Sequence, residues 1–494
     1  MKQLFISLLL TGLYLSAQPA ACQRTDKPTT PLPAAGSLVI TNVNIVDVVS
    51  ERVLEGRTVV ILDGCIVSVG TRAPAGRAVQ RVDGRGKYLI PGLWDGHTHA
   101  LATAAEEQVA LPLYVAHGIT SIRVLNTGRT RADLQATVRA VEAGQRVGPR
   151  IELAGASFEA PVGEEAGQFP TTYAQGQEWA AARLQQGWRA LQSSPLLSRD
   201  AYLGIAEAAQ TWNVPLVGAI PESVTALQAV AAGQRIIEPA DKLLLGCSSR
   251  EEEWVAAQVY YQAKAKPDAA LTELGRTRQA ALGSTFRPSR ATHLAEALAQ
   301  EKTFVVPLLQ TSLLAAAAVP SPDSPLWRYV PAGVRQKWQQ ARPAVARPAQ
   351  AQRLTLDSLQ KALVAALQRQ GVPILAGSDA GWSSSSRFHG SSLLTELEQL
   401  VAAGLTPAQA LRAATVAPAA ATGHRFEQGQ VEVDFHGDLV LLDNNPLDDI
   451  RNLRHVRAVV LRGRLYDRAA LAALAAEAER VAQQSPAVSK AAAH

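Results

Sequence analysis

The sequence predicts an α/β fold: a (β/α)8 TIM-like barrel with a small β-sandwich domain built from both chain ends. Three observations predict it. Short apolar segments alternate with helix-like segments through the middle of the chain, as in parallel α/β proteins. Runs typical of antiparallel strands stand at both ends. The length of 494 residues exceeds one compact core, so more than one folding unit is expected.

Residues 1–22 predict a secretory signal peptide. Lys2 precedes an apolar run at 4–10 that is too short to span a membrane, and small residues follow it. Cys22 stands where a bacterial lipoprotein carries its lipidated cysteine, although Pro19 departs from the usual aliphatic residue. An exported periplasmic protein and an outer-membrane-anchored lipoprotein of a bacterium both stay open. Residues 23–36, rich in Pro and Thr, predict a linker in either case.

Residues 37–87 and 428–466 predict one composite β domain. Short apolar runs alternate with turn residues in the first stretch, and Asp63-Gly64 between two such runs is a hairpin signal. This stretch has too little core of its own. Strand-like runs at 437–443 and 456–463 supply its partner from the other end of the chain.

Residues 88–427 predict the barrel. A polar, helix-prone excursion at 248–300 precedes the seventh strand, and 467–494 predict a closing helix and tail, with Asp467 as the N-cap. Eight strand–helix units indicate a closed barrel with chemistry at the carboxyl ends of the strands, although a doubly wound sheet alternates in the same way. The candidate strands are 88–93, 119–124, 150–154, 188–192, 214–218, 235–238, 303–309 and 372–377. The clearest helices are 134–143, 199–210, 224–232 and 392–403.

Composition excludes several classes of function. A hydrophobic content of 47% with 18% charged residues is typical of a globular protein. The net charge of +5 comes from scattered lysines and arginines without a basic run, which argues against nucleic acid as a partner. Three cysteines, Cys22, Cys65 and Cys247, are too few for a disulfide framework and have no CxxC spacing for a metal site.

His97 and His99 are candidate metal ligands. They lie one residue apart after an apolar run, and side chains at i and i+2 of a strand project to the same side. Two imidazoles that face one way suit one metal ion. The alternative is a hydrogen-bonded pair in the mouth of a barrel that binds nothing.

Asp379 is the third candidate ligand. It follows the last candidate strand, between Gly377 and Gly381, and a closed barrel brings strand eight beside strand one. Two imidazoles and one carboxylate can hold a divalent cation and leave positions for water and substrate. The metal would acidify that water and Asp379 would accept its proton. The alternative for Asp379 alone is a turn-former or a helix N-cap.

Four segments resemble the amidohydrolase superfamily, and in particular its imidazolonepropionase- and prolidase-like branch. The first looks like that family's metal-binding signature, the second like its strand-eight aspartate, and the others like a segment shared within that branch and its closing β segment. They are Pro91-Gly92-Leu93-Trp94-Asp95-Gly96-His97-Thr98-His99, Gly377-Ser378-Asp379-Ala380-Gly381, residues 404–415 and residues 437–447. The resemblance implies the barrel, the split β domain and a hydrolase that acts on C–N bonds through bound metal.

The chain departs from this pattern at three ligand positions. The resemblance implies a metal-bridging lysine at the end of strand four and a histidine at the ends of strands five and six; this chain has Gln192, Ala219 and Pro239 there. A single metal held by His97, His99 and Asp379 is therefore expected. Candidate replacement ligands or substrate contacts are Glu222, Glu238, Asp241 and His389, for which solvated, N-cap or surface roles are the alternatives.

Two functions follow. The first is an exported, mononuclear, metal-dependent hydrolase that cleaves an amide, cyclic amide or dipeptide-like bond in a small-molecule substrate. Its cofactor would be one divalent ion, zinc by expectation, with manganese or iron as alternatives. The second is a catalytically degenerate homologue without a cofactor that acts as an envelope binding or scaffold protein. In both, a lipid anchor is the one expected contact with a membrane, and a homo-oligomer stays open.

Overall fold

The computed structural model describes residues 22, 37–72, 80–125, 128–158, 169–264, 268–310, 323–344, 350–383 and 387–485. The predicted signal peptide, apart from Cys22, lies outside the described residues, as do the linker at 23–36 and the end of the tail. Among the described residues, no helix is both long and apolar enough to cross a membrane.

Strands and helices alternate from residue 93 to residue 246, as the sequence predicts. The strands are β1 Ser37–Asp47, β2 Arg52–Leu62, β3 Cys65–Gly70, β4 Gln80–Asp83, β5 Tyr88–Pro91, β6 Leu93–Thr98, β7 Ile119–Val124, β8 Arg150–Leu153, β9 Leu191–Ser193, β10 Leu216–Gly218, β11 Ile236–Ile237, β12 Phe304–Val305, β13 Leu439–Leu442, β14 Val456–Leu461 and β15 Arg464–Asp467.

The helices are α1 Ala104–Ala116, α2 Arg131–Glu142, α3 Tyr173–Gln185, α4 Arg199–Thr211, α5 Ala226–Ala231, α6 Asp241–Gly246, α7 Glu251–Gln262, α8 Asp268–Thr285, α9 Pro288–Gln300, α10 Ala332–Ala344, α11 Gln350–Arg369, α12 Ser391–Ala402, α13 Pro407–Ala413, α14 Val416–Ala421 and α15 Arg468–Gln484. The four clearest predicted helices are confirmed as α2, α4, α5 and α12. The helix-prone excursion forms α7 to α9. Asp467 caps α15 by accepting from the Ala470 N–H, as expected.

The two ends of the chain form one eight-stranded sheet in the order β15-β14-β13-β5-β1-β2-β3, with β4 beside β1. The predicted hairpin is confirmed: Leu62 pairs with Cys65 across Asp63 and Gly64, and both turn residues have positive φ. One face of this sheet packs a shared core that joins residues of β1 and β2 to residues of β13 and β14. Strand β3 also contacts the segment just before β13, because Ile66 exchanges backbone hydrogen bonds with Asp434 and Phe435. The division into two sandwich layers stays a prediction.

A disulfide bond joins Cys22 to Cys65 at the start of β3. The cysteine count argued against a framework of disulfides, and the sequence analysis did not predict this single bond. A sulfur atom in a disulfide cannot also carry a lipid thioether. The bond therefore contradicts lipidation of Cys22.

The remaining strands form two parallel sheets, β6-β7-β8 and β12-β11-β10-β9. Isolated parallel bridges connect them. Ala156 pairs with Leu191, Val305 with Ile374, and Ala380 with Thr98. Strand pairing therefore runs from β6 through β12 to the predicted eighth strand at 372–377. Ala380, shortly after that strand, pairs back with β6.

The predicted first strand at 88–93 is wrong in its position. Tyr88–Pro91 is β5, which pairs with β1 and β13 in the sheet of the chain ends. The first parallel strand is β6, which carries His97 within it. Gly92 separates the two strands at a point of close packing, since a Cβ there would collide with Thr120. The apolar run is continuous in sequence although the chain passes from one sheet to another within it, so the sequence gives no sign of the change.

Candidate metal centre

Strand β6 presents His97 and His99 on one side. His97 lies in the strand and is buried, and His99 follows it directly. Their ring centroids are 5.4 Å apart, and the ring planes are inclined at 75°. The alternation of side chains along an extended segment brings the two imidazoles together, as the sequence predicted.

Asp379 reaches the same point from the other end of the chain. The His97 carbonyl accepts hydrogen bonds from the backbone N–H groups of Ser378 and Asp379. The His99 N–H in turn donates to the Ala380 carbonyl over 2.8 Å. Asp379 has a φ of 53°, in the left-handed region that few residues other than glycine adopt readily. The backbone thus holds the carboxylate in a conformation that costs energy, as is frequent at functional sites.

The three side chains converge on one point. Asp379 Oδ1 lies 3.0 Å from His99 Nε2 and 3.6 Å from His97 Nε2. One ligand atom from each residue can be chosen so that all three lie within 4.8 Å of one another. Within the described part of the chain, this is the one group of three or more His, Cys, Asp or Glu residues that meets this condition. Two imidazole nitrogens and one carboxylate oxygen form a donor set that suits zinc and related divalent ions.

The other nitrogen of each ring has its own partner. His97 Nδ1 lies 2.7 Å from Glu238 Oε2, and His99 Nδ1 lies 3.1 Å from the Leu125 carbonyl oxygen. A carbonyl oxygen only accepts, so Nδ1 carries the proton when the His99 ring is neutral, and Nε2 then has a lone pair for a cation. The same assignment for His97 follows from the Glu238 carboxylate. Histidines that bind metals typically donate their second N–H to a carboxylate or a carbonyl in this way.

Arg123 and Glu238 form a buried ion pair behind His97. Arg123 Nη1 lies 2.8 Å from both carboxylate oxygens of Glu238, and it also donates to the Gly96 carbonyl. Burial acts to raise the pKa of Glu238, but the charges of Arg123 and His97 outweigh it, so the pKa is lowered. Glu238 is therefore an anion that orients the His97 ring.

The charges at the centre reinforce one another. Burial favours a lower pKa for His97, but Glu238 and Asp379 outweigh it and raise the pKa to about 9. Burial similarly acts against the charged form of Asp379, and the hydrogen bonds to His97 and His99 overcome it, so the pKa of Asp379 is lowered. Without a metal, the protonated His97 ring thus lies between the carboxylates of Glu238 and Asp379. A bound divalent ion would replace the positive charge of that ring.

Asp95 fastens the two segments that carry the ligands. Its carboxylate accepts from the Ser378 N–H over 2.9 Å, from the Ser378 hydroxyl over 2.5 Å and from the His97 N–H over 3.3 Å. Burial raises the pKa of Asp95 to about 6 although these hydrogen bonds act to lower it. Asp95 therefore links β6 directly to the loop that carries Asp379.

The four other candidate residues occupy different places. Glu238 supports His97, as described above. Glu222 pairs with Arg278 and Lys242, whose side chains are both buried. Burial, together with the charge of Glu222, raises the pKa of Asp241 to about 7. His389 is buried, contrary to the surface alternative, and lies between Glu106 and Tyr114.

The three substituted positions provide no ligand. Gln192 is buried in β9, and its Nε2 donates to the Gly155 carbonyl over 2.7 Å. Ala219 directly follows β10, and Pro239 follows Glu238 after β11. The sequence analysis missed Arg123 and the supporting role of Asp95. The available signals were an arginine inside the apolar strand 119–124 and an acidic residue two positions before His97.

Known proteins resemble this chain in sequence and in fold. The profile of the amidohydrolase family matches residues 88–466. Adenine deaminase from Geobacillus kaustophilus is 32% identical over 85 residues. These residues are 17% of this chain and 14% of that enzyme, so the chain matches only a small part of this curated relative.

Solved structures match over most of the chain. A putative prolidase from Bifidobacterium longum is 22% identical, with 90% of this chain and 100% of that chain covered and a TM-score of 0.59. Bottromycin amidohydrolase is 17% identical, with 90% and 91% covered and a TM-score of 0.63. At these identities the likeness shows a shared fold.

Proposed function

This chain belongs to the amidohydrolase family, and on that premise we propose that it is a metal-dependent hydrolase that cleaves C–N bonds. The cofactor is one divalent cation, zinc by preference, held by His97, His99 and Asp379. The parallel segments from β6 to the eighth strand close into a barrel, with this centre at the carboxyl ends of the strands. Family members and the neighbouring structures act on small molecules, and this is the class of substrate we propose.

One observation carries the proposal. The Nε2 atoms of both histidines face the same carboxylate oxygen, and each Nδ1 is already committed to Glu238 or to the Leu125 carbonyl. Two histidines that only formed hydrogen bonds would not require Nδ1 of each ring to be held by a partner so that both Nε2 atoms point at one oxygen. Such orientation is what a metal ion requires of its ligands.

The residues have separate tasks in the proposed reaction. When bound, the cation would polarise the substrate and make a water molecule nucleophilic at neutral pH. His97 and His99 hold their ring orientations through Glu238 and Leu125. Asp379 accepts the proton that the attacking water loses and passes it to the nitrogen of the leaving group, which departs as an amine. Arg123 keeps Glu238 ionised so that His97 stays in the required tautomer.

The bond cleaved is an amide, cyclic amide or dipeptide-like bond. The support is the family, together with neighbours named as a putative prolidase and an amidohydrolase. A first substrate panel therefore contains Xaa-Pro dipeptides, N-acyl amino acids and cyclic amides. The partial likeness to adenine deaminase adds cyclic amidines, whose hydrolysis releases ammonia.

We also propose that the protein is exported to the periplasm. The predicted signal peptide supports export. Cleavage before Cys22 would keep this residue in the exported chain, and the Cys22–Cys65 bond then supports export as well, because disulfides persist in oxidising compartments. Secretion of the full-length chain in a bacterial host, followed by thiol titration of the periplasmic protein with and without reductant, tests this. Two thiols that react only after reduction are expected.

Metal analysis of the purified protein tests the main proposal. We expect about one equivalent of zinc, manganese or iron per chain. His99→Ala should lose most of this metal and the hydrolysis of any substrate found, whereas the exposed His293→Ala should keep both. Protein that stays metal-free after incubation with excess divalent ions and dialysis would refute the proposal.

A second candidate is a degenerate homologue that binds ligands without catalysis. Gln192, Ala219 and Pro239 favour it, because none of them supplies a ligand at strands four to six. In that case metal content should be negligible and every compound of the panel should stay intact. Bound metal together with turnover would exclude this candidate.

A further inference from the structure

A cavity of about 570 Å³ opens where the two parallel sheets separate. Strands β8 and β9 are joined by the bridge between Ala156 and Leu191, and the cavity lies on the amino-terminal side of that bridge. Ala190, Val214 and Arg235, which come just before the strands β9, β10 and β11, contribute to its wall. The metal centre lies at the opposite ends of the strands.

Positive charge predominates in the wall of this cavity. Its lining includes the guanidinium groups of Arg123, Arg189 and Arg235, and Glu152 is its one carboxylate. Glu152 already lies 3.6 Å from His424 Nε2, and this contact raises the pKa of His424. The wall therefore has more cationic than anionic groups, and its carboxylate is engaged elsewhere.

Arg123 leaves donors for a ligand. Its side chain is 2% exposed, and its Nη1 binds Glu238 and the Gly96 carbonyl. Its Nη2 has no hydrogen-bond partner among the described residues. A buried guanidinium donor without a partner costs free energy, and an anion that entered the cavity would remove that cost.

We propose that this cavity is a second ligand site, and that it binds a small molecule carrying an oxyanion, either a carboxylate or a phosphate. Arginine is the side chain best suited to such groups, because its planar donors match two oxygens at once. The volume falls within the range of small-molecule sites, so the ligand is an organic anion rather than a bare ion. Arg123 anchors the charge, and Arg189 and Arg235 attract the ligand at the entrance.

Anion titration of the whole protein tests this site. Sodium succinate and phenyl phosphate, at constant ionic strength and against chloride, distinguish a carboxylate ligand from a phosphate ligand. Calorimetry should show saturable binding of at least one of them, and thermal unfolding should shift upward with the same concentration dependence. Absence of saturable binding of both anions would overturn the proposal.

Variants at the entrance separate this site from the metal centre. Arg189→Gln combined with Arg235→Gln should weaken anion binding about tenfold, because two guanidinium groups are lost while Arg123 and Glu238 stay intact. Arg276→Gln combined with Arg480→Gln removes two exposed arginines elsewhere and should change nothing. Ala421→Leu narrows the cavity from α14 and should also weaken binding. Equal affinity in the entrance variant and the control would show that the anion binds elsewhere, and would refute the proposal.

Discussion

Strand β6 carries a histidine–carboxylate network on each of its two faces, and the comparison shows what makes one of them a candidate metal centre. On one face, His97 and His99 meet Asp379. On the other, Thr98 Oγ1 lies 2.6 Å from Tyr114 Oη, which lies 3.2 Å from His389 Nδ1, and His389 Nε2 lies 3.1 Å from Glu106 Oε1. Both networks are largely buried, and both contain the residue types that bind metals.

The difference lies in where the lone pairs point. Each nitrogen of His389 has a partner on a different side of the ring, so the network is a chain with no common point. At the centre, two Nε2 atoms and one carboxylate oxygen face one another. Residue type and burial alone therefore do not identify a metal centre, whereas convergence of acceptor atoms does.

The largest expected effect is on Asp379→Asn. Asparagine adopts the left-handed conformation about as well as aspartate, so the backbone should be kept while the charge and the proton acceptor are lost. We expect turnover to fall about 1000-fold or more, which is roughly 4 kcal/mol of transition-state stabilisation. Asp434→Asn, at another left-handed aspartate that is exposed, is the matched control and should keep full activity. Turnover unchanged in Asp379→Asn would mean that the two networks do not differ in function.

Glu238→Gln should affect both stability and metal binding. The substitution leaves Arg123 buried without its counter-charge, which should lower the free energy of unfolding by about 3–5 kcal/mol. It also replaces the anionic acceptor of His97 Nδ1 with a neutral amide, which should weaken metal affinity about 10- to 100-fold. Denaturant unfolding and metal competition assays measure the two effects. Glu253→Gln, in an exposed pair with Arg250, is the control and should leave the free energy of unfolding nearly unchanged.

Tyr114→Phe addresses the opposite face of β6. Loss of the hydroxyl removes the partner of His389 Nδ1 and one of the two partners of Thr98 Oγ1, so the free energy of unfolding should fall by about 1–3 kcal/mol. Metal content and turnover should stay within about twofold of the native protein. Tyr260→Phe, at an exposed tyrosine, is the control for stability. A loss of bound metal in Tyr114→Phe would show that the two faces act as one site.

Asp241→Asn tests a buried carboxylate that has no histidine partner. Because burial raises its pKa to about 7 in the folded protein, the folded state binds more protons than the unfolded state between pH 4 and 7. The free energy of unfolding should therefore fall as the pH rises through that window. Asp241→Asn should flatten this dependence and stabilise the protein at pH 8 by about 1–2 kcal/mol. Unfolding curves at pH 5 and pH 8 measure it, and an unchanged slope would contradict the raised pKa.

The sequence was sufficient to predict that His97, His99 and Asp379 come together, because local rules place them. Alternation along a strand orients His97 and His99, and the order of strands in a closed barrel predicts that Asp379 approaches them. The family resemblance is confirmed by the match over residues 88–466. Four helices, the helix-prone excursion and the closing helix were also predicted, since Ala-rich helical stretches and, at α15, a capping residue mark them.

Other features depended on contacts that the sequence does not encode locally. The ion pair of Arg123 with Glu238 joins residues 115 positions apart, and only the assembled interior shows that they meet. The burial of His389 depends on how its loop packs against α1. Strand β5 was assigned to the wrong sheet because one apolar run serves two sheets. The Cys22–Cys65 bond joins a residue next to the predicted linker to a strand edge, and nothing in the spacing of three cysteines indicates it.

The distance between ligands along the chain has a consequence for biosynthesis. His99 and Asp379 are separated by 280 residues, so the centre closes only when nearly the whole polypeptide has been made. A nascent chain contains His97 and His99 early but lacks Asp379, the third residue of the candidate site. Under the proposed function, tight binding of the metal would therefore follow docking of the last strand, and the ion available where folding finishes would determine which metal the protein carries.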